Sequence, residues 1–405
     1  MAQDQTAAIS WTQLLLLRAL YPILLVSFAV RLFRDASLLR QIKDWPHTYF
    51  ALTAVTALTA IYSISRHAFD LTSPFNILGQ LVIMLLFVIA ASHIQAPDDF
   101  RRIAISAVLT SLALSCWVLW TTAKLDFSAF RGGIEVNQNY VSLFELAGAI
   151  PLVHWLFRSK GFAKKLAIFA ILAVVITGAA LLESRGLLVA FGAAMLLMTP
   201  QLIPKKPGKG AVIICLAFCV IMIGLYSGSM LERFGDTDLS SLNGRSVIWE
   251  YSLHSLTESG AVRMLFGFGY NSAQVLLPPA MEPGAWNYHN EYLNGLMDGG
   301  LVGLSVLLAF MISMWRRVVR STHPLQNVMK GWIVFIVVAG ISGVFSGTHI
   351  FWLLLGSITG ALAVEKVPSH IDIKPLSPVR FYHKINKFTR EIVRDELERH
   401  GLLTP

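Results

Sequence analysis

Long apolar runs alternate with short basic links along most of the chain, and one long polar stretch breaks the alternation. The runs cover roughly 11–33, 48–64, 75–94, 103–123, 139–157, 164–182, 184–204, 210–228, 290–315, 330–348 and 349–365. A helix of about 20 apolar residues crosses about 30 Å of hydrocarbon, and most of these runs reach that length. The pattern predicts an all-α, polytopic integral membrane protein. N-terminal transmembrane helices fill 1–228, and a large polar loop containing helices fills 229–289. C-terminal transmembrane helices fill 290–365, and a polar tail fills 366–405. The tail has helical periodicity near Ile385 to Leu397 and reads as a soluble or surface-lying helix. Counting runs gives eleven spans. The first holds Arg18, Pro22 and Arg31, so it is either a span or a broken, re-entrant element. No clean cleavage site follows it, so it reads as retained rather than as a signal peptide.

Charge sets the sidedness. Only 14% of the residues are charged, against about 25% in soluble domains. The net charge of +9 would suit nucleic acid, but its placement argues against that partner. Arg34, Arg40 and Lys43 share one link, and Arg101 and Arg102 another. Arg158, Lys160, Lys164 and Lys165 follow, then Lys205, Lys206 and Lys209, then Arg316, Arg317 and Arg320. All these links fall on one side, which the positive-inside pattern makes the cytoplasm. The opposite side receives 65–74, 124–138, the turn Glu183-Ser184-Arg185, the loop 229–289 and a sharp turn near Thr348-His349. Cys116, Cys215 and Cys219 all lie in apolar runs, so no disulfide framework and no Cys-based zinc site is expected.

Candidate chemistry collects on that opposite side. The stretch Asn287-Tyr288-His289-Asn290-Glu291-Tyr292-Leu293 closes the polar loop and turns directly into an apolar helix. A helix start offers free N–H groups and partial positive charge, which suits an anion. Gly295, Gly299 and Gly303 recur every four residues, a face that lets another backbone approach. Arg185 stands between two spans with almost no link, either paired with Glu183 or facing a cavity as an anion site. Arg245 falls in the first turn of an amphipathic helix, with Asn243 or Ser241 as cap, where a cation is normally disfavoured. Arg233 and Arg263 are looser candidates. Asn137, Gln138 and Asn139 follow Arg131-Gly132-Gly133 at a span start and suit either sugar binding or capping. Glu145 lies inside that span and should face a polar interior or pair with an arginine. His254, His323 and His349 are alternatives to His289, with His323 on the cytoplasmic side and His349 at an outer turn. Gly267-Phe268-Gly269 follows no parallel strand, which rejects a dinucleotide fingerprint. Asp236-Thr237-Asp238 has the D-x-D form of some metal sites but lies on the wrong side for nucleotide sugars. No metal set and no cofactor is expected. A histidine can take a hydroxyl proton near neutral pH, and arginines can hold a departing pyrophosphate. The chemistry this suggests is attack of a sugar hydroxyl on a lipid-pyrophosphate-linked glycan. A lipid-linked glycan transporter is the alternative without chemistry.

The chain also resembles the O-antigen ligase family of polytopic bacterial glycosyltransferases. The resemblance rests on His289-Asn290-Glu291-Tyr292-Leu293 with Asp298-Gly299-Gly300-Leu301-Val302-Gly303, and on Ser184-Arg185-Gly186. It rests also on Gly244-Arg245-Ser246-Val247-Ile248-Trp249, Gly267-Phe268-Gly269-Tyr270-Asn271-Ser272, and Asn139 after Arg131-Gly132. It implies a metal-independent, inverting transfer of O-antigen from undecaprenyl pyrophosphate to a sugar of the lipid A-core oligosaccharide. The place would be the periplasmic face of the bacterial inner membrane, with membrane lipid around it. It assigns His289 as the base and Arg185 and Arg245 to the donor pyrophosphate. Asn139, Arg131, Asn290, Tyr292, Arg263 and His349 are further substrate-binding candidates. Such ligases have twelve spans, against eleven counted here. O-antigen polymerases and protein O-oligosaccharyltransferases share much of the pattern, and the single long loop late in the chain favours ligase.

Overall fold

The computed structural model describes residues 45–66, 72–124, 138–182, 184–202, 245–278, 287–343 and 348–365. The runs 11–33 and 210–228, the tail helix, Arg131, Glu183, Arg233, Asp236, Asp238 and the caps expected before Arg245 lie outside them. The described residues form twelve helices and no strand. They are α1 (His47–Arg66), α2 (Thr72–His93), α3 (Pro97–Lys124), α4 (Gln138–Arg158), α5 (Phe162–Leu181) and α6 (Arg185–Leu202). The loop supplies α7 (Arg245–Glu258), α8 (Ala261–Phe266) and α9 (Ala273–Leu276). The last three are α10 (Glu291–Val319), α11 (Gln326–Ala339) and α12 (His349–Glu365). The chain divides into Met1–Glu365 and Lys366–Pro405.

Among the described residues, four stretches are long and apolar enough, by length and composition, to cross a membrane: Pro97–Thr122, Asn139–Arg158, Phe162–Leu181 and Glu291–Val319. Shorter apolar helices run alongside them. The protein is a polytopic, all-α membrane protein, as the alternation of apolar runs predicts.

In hydrocarbon no water satisfies a backbone group, so every break in a helix ladder needs a protein partner. Pro151 inside α4 has no N–H to give the Ala147 carbonyl. The indole of Trp332 on α11 fills that position, donating from Nε1 to Ala147 O at 2.8 Å. Small residues set the other contacts. A Cβ on Gly356 or Gly360 of α12 would collide with the Phe87 or Ala91 carbonyl of α2, so these helices meet backbone to backbone. Tyr49 stacks on Phe87 with ring centroids 4.1 Å apart, and its hydroxyl donates to Met84 O at 2.9 Å, fixing α1 to α2.

One expectation changes at α11. The run 330–348 is not one helix: α11 stops at Ala339 and the chain turns from Gly340 onward. Hydropathy continues past that point, but the Gly340 carbonyl is drawn out of the helix to accept the Glu291 N–H at 2.7 Å. Thr348 is a bend, as expected of the turn there, and His349 begins α12. Of the two alternatives for Glu145, the polar interior is the one seen among the described residues: Ser115 Oγ donates to its Oε1 at 2.8 Å, and Oε2 has no hydrogen-bond partner there.

The largest departure is in α10. Gly300 has φ 65° and ψ −161°, which breaks the helix into Glu291–Gly299 and Leu301–Val319. In a straight helix, positions 295 and 307 would stand roughly 18 Å apart. Here a Cβ on Gly295 would lie 3.4 Å from Leu307, and one on Gly303 would lie 2.8 Å from the Gly295 carbonyl. The two pieces fold back on each other. The glycine repeat thus serves a self-contact across the break, not one continuous helix face. Gly299 looks toward Val55 and Thr59 of α1, and Gly303 borders Val55 as well.

Candidate functional site

Contacts gather the starts of α4, α6 and α10 at the finish of α11: the Glu291 N–H meets Gly340 O, Gly186 abuts Ser342, and Ser184 is bonded to Asn139. The loop helix α7 joins them there. The site is built around that finish, because the last carbonyls of a helix have no partner within it. Gly340 O accepts the first N–H of α10, from Glu291. Val337 O accepts the Tyr292 hydroxyl at 2.6 Å. Ser342 O accepts Arg245 Nη1 at 2.9 Å. Gly186, next to Arg185, lies so close to Ser342 that a Cβ would overlap its hydroxyl. Arg185 and Arg245 are each the first residue of their helices; Arg245 itself reaches Ser342, and Arg185 is brought near that segment by its neighbour Gly186.

His289 is tied to the same place. Trp249, one turn along α7 from Arg245, donates its indole N–H to Tyr288 O at 2.9 Å. Asn290 caps α10 by accepting from the Tyr292 and Leu293 N–H groups at 2.9 and 3.0 Å. Between these two anchors His289 adopts φ 53°, in the left-handed region that few non-glycine residues occupy. Its own N–H donates to Asn287 Oδ1 at 2.8 Å. Backbone strain of this kind costs about 1–3 kcal/mol and persists only where neighbours over-determine it.

Those neighbours form a small core of their own. Ile248, Leu256, Phe268, Ala273, Leu277, Tyr288, Leu293 and Met297 are buried together, separate from the core of the bundle. Tyr288 is fully buried, and burial pushes its phenol well above its usual range. Ser272 Oγ donates to Asp298 Oδ1 at 2.7 Å, so its one proton is committed. Tyr288 O–H must then be the donor in its 3.0 Å contact with Ser272 Oγ. Asp298 accepts also from the N–H groups of Asn271 and Ser272 and from Asn294. The Gly267–Ser272 loop is thereby fastened to the broken helix. The break frees the Met297 and Asp298 carbonyls, which take the N–H groups of Phe268 and Gly269 at 2.8 and 3.0 Å.

The other candidates are placed as follows. Asn139 Oδ1 accepts from Ser184 Oγ at 2.7 Å, joining the start of α4 to that of α6. Asn290 and Tyr292 spend the polar atoms described above on the fold. His349 is the first residue of α12 and half-buried. Arg263 is exposed on α8 over the Phe268 ring, 5.2 Å from its centroid, and is not joined to the segment 340–342. His254 is exposed and pairs with Glu258, and His323 lies at the opposite end of the bundle. No group of three or more His, Cys, Asp or Glu among the described residues could hold a metal ion.

Residues that sequence reasoning missed are Gly340 and Ser342, whose backbone is the hub, and Ser272, which links Tyr288 to Asp298. The cluster of glycines and serines over 340–347, inside an apolar run, was the available signal for the hub.

The family model described as O-antigen ligase matches residues 167–308. Over those residues, about a third of its length, the chain is similar to the O-antigen ligase family. The matched stretch runs from α5 into the second piece of α10, so it contains Arg185, Arg245, Arg263, His289, Asn290 and Tyr292. Asn139, Arg131, His349 and the hub 340–342 lie outside it. No curated protein matches the chain.

Proposed function

We propose that this protein is a member of the O-antigen ligase family and moves O-antigen from undecaprenyl pyrophosphate to a sugar of the lipid A-core. The proposed site faces the periplasm from the inner membrane. The observation that carries the reading is the gathering of Arg185, Arg245 and His289 about the end of α11. Two helix starts, each bearing an arginine, face an anion with both charge and N–H donors. His289 takes the proton of the acceptor hydroxyl as its oxygen attacks the anomeric carbon. The bond from that carbon to the pyrophosphate oxygen breaks on the opposite face, so configuration inverts. The electron pair leaves with the lipid pyrophosphate, whose charge the guanidinium groups hold without a metal ion. The proton on His289 then passes to solvent or to the departing phosphate. The strained, doubly anchored backbone keeps the histidine in place before substrate arrives.

The test is the lipopolysaccharide pattern of a strain lacking the protein, read beside its lipid-linked glycan. Bare core with long polymer retained on the carrier supports the ligase. Core bearing one repeat means a polymerase. Unchanged lipopolysaccharide means protein glycosylation or transport.

The arginine assignment has its own check. Arg245→Lys keeps the charge but loses the planar fork, which holds Ser342 O with one nitrogen and leaves a fixed plane for phosphate. Loss of one charge-assisted hydrogen bond costs about 1.5–3 kcal/mol. Donor affinity should fall roughly ten- to a hundredfold by titration with lipid-linked donor. Wild-type affinity in Arg245→Lys would remove Arg245 from the donor site.

A further inference from the structure

The end of the bundle opposite the candidate site holds a cavity of about 800 Å³. It is about 30 Å from the Asn139 end, the length of α4. Asp98 and Arg101 from the start of α3, His154 and Arg158 from the end of α4, and His323 from the link into α11 line it. Arg101 and Arg158 are exposed, and neither forms an ion pair or hydrogen bond with a described residue. Asp98 borders the same space without pairing with either.

Two features separate this place from an ordinary basic rim. The first is His154, which is 5% exposed and leaves Nδ1 with no hydrogen-bond partner. A buried polar atom without a partner is uncommon, and here the ring that carries it lines the space beside Arg101 and Arg158, with Nδ1 itself covered. The second is the frame. His323 Nδ1 accepts the Leu325 N–H at 3.1 Å, and its ring stands edge-on to Phe100 at 5.4 Å, while Nε2 leans toward Pro97 without closing a bond. That wall is rigid. Leu325 gives the start of the 14-residue α11 no side-chain cap, Gln326 N–H donates to His323 O at 2.9 Å, and Gln326 and Asn327 of that first turn also border the space. Positive side chains, an unpaired imidazole nitrogen and an uncapped helix start together fit an anion. The paired guanidinium forks select phosphate over a spherical anion. The volume lies within the range of ligand pockets and exceeds one phosphate group.

We propose that this cavity is a second binding site, for a phosphate-bearing anion, separate from the site of transfer. Its source is either the head group of an anionic phospholipid in the adjoining leaflet or soluble phosphate.

The experiment uses the purified full chain in detergent, as wild type, as the Arg101→Gln/Arg158→Gln pair and as His154→Asn. Native mass spectrometry counts lipid retained with phosphatidylglycerol or with phosphatidylcholine. Thermal unfolding is followed in parallel with inorganic phosphate against chloride at equal ionic strength. Retention of phosphatidylglycerol over phosphatidylcholine, lost about tenfold in the arginine pair and weakened in His154→Asn, establishes the lipid source. A phosphate-specific rise in unfolding temperature, absent from the arginine pair, establishes the soluble source. The ligand-free unfolding temperature of each variant shows that it is folded. Equal binding by wild type and the arginine pair, or no preference for either phosphate form in the wild type, overturns the proposal.

Discussion

His289→Ala leaves the protein in the membrane and able to hold donor, but lowers glycan transfer by roughly 10²–10⁴-fold, the usual contribution of a general base. The residue stands at φ 53°, so alanine there carries a backbone penalty that has nothing to do with proton transfer. His289→Asn separates the two effects. Asparagine accepts the left-handed region more readily than alanine but cannot take the proton. Both variants should show the same loss of transfer in a membrane assay with purified donor and acceptor. If His289→Asn transfers glycan at the wild-type rate, His289 is not the base. If alanine fails and asparagine works, its role is to shape the turn between Tyr288 and Asn290. Donor binding measured on the same preparations shows whether the arginine side of the site survives.

Much of that site was visible in local pattern. Arg245 was placed in a first helical turn from caps and apolar spacing, and Arg185 at the short link between two spans; both prove to be the first residues of α7 and α6. Such signals are short in range, because a cap, a charge and the first apolar residue lie within one turn. The partners were not visible. Arg245 reaches Ser342 across 97 positions, and Trp332 reaches Ala147 across 185. No pattern in either segment names the other. Hydropathy also misled where an apolar run held a break. It carried the helix past Ala339 and through Gly300, because it weighs side chains and not the carbonyls that leave the ladder. The triplet Asp298-Gly299-Gly300 inside an apolar run was the trace of that break. A buried carboxylate followed by two glycines is poor helix and poor hydrocarbon filler, so it needs partners from elsewhere. Asn271, Ser272 and Asn294 supply them.

Gly300→Ala should be the most damaging single change outside the reacting residues. Its φ of 65° with ψ of −161° belongs to a region that is essentially glycine's alone, at about 1–3 kcal/mol for any other residue. A Cβ would also overlap the Leu265 carbonyl, which is backbone and cannot rotate away. The added strain brings the expected loss to about 3 kcal/mol or more. Relief requires straightening the helix or pushing off the Gly267–Ser272 loop. Either movement breaks the Phe268 and Gly269 hydrogen bonds, then the Ser272 link between Tyr288 and Asp298. The backbone holding His289 would loosen with them. Gly295→Ala is the matched control, since its Cβ would make ordinary contact with Leu307 at 3.4 Å. Thermal unfolding in detergent should show a large drop for Gly300→Ala and a small one for Gly295→Ala, with transfer lost only in the first. Equal stability of the two variants would mean that the break at Gly300 does not hold the loop in place.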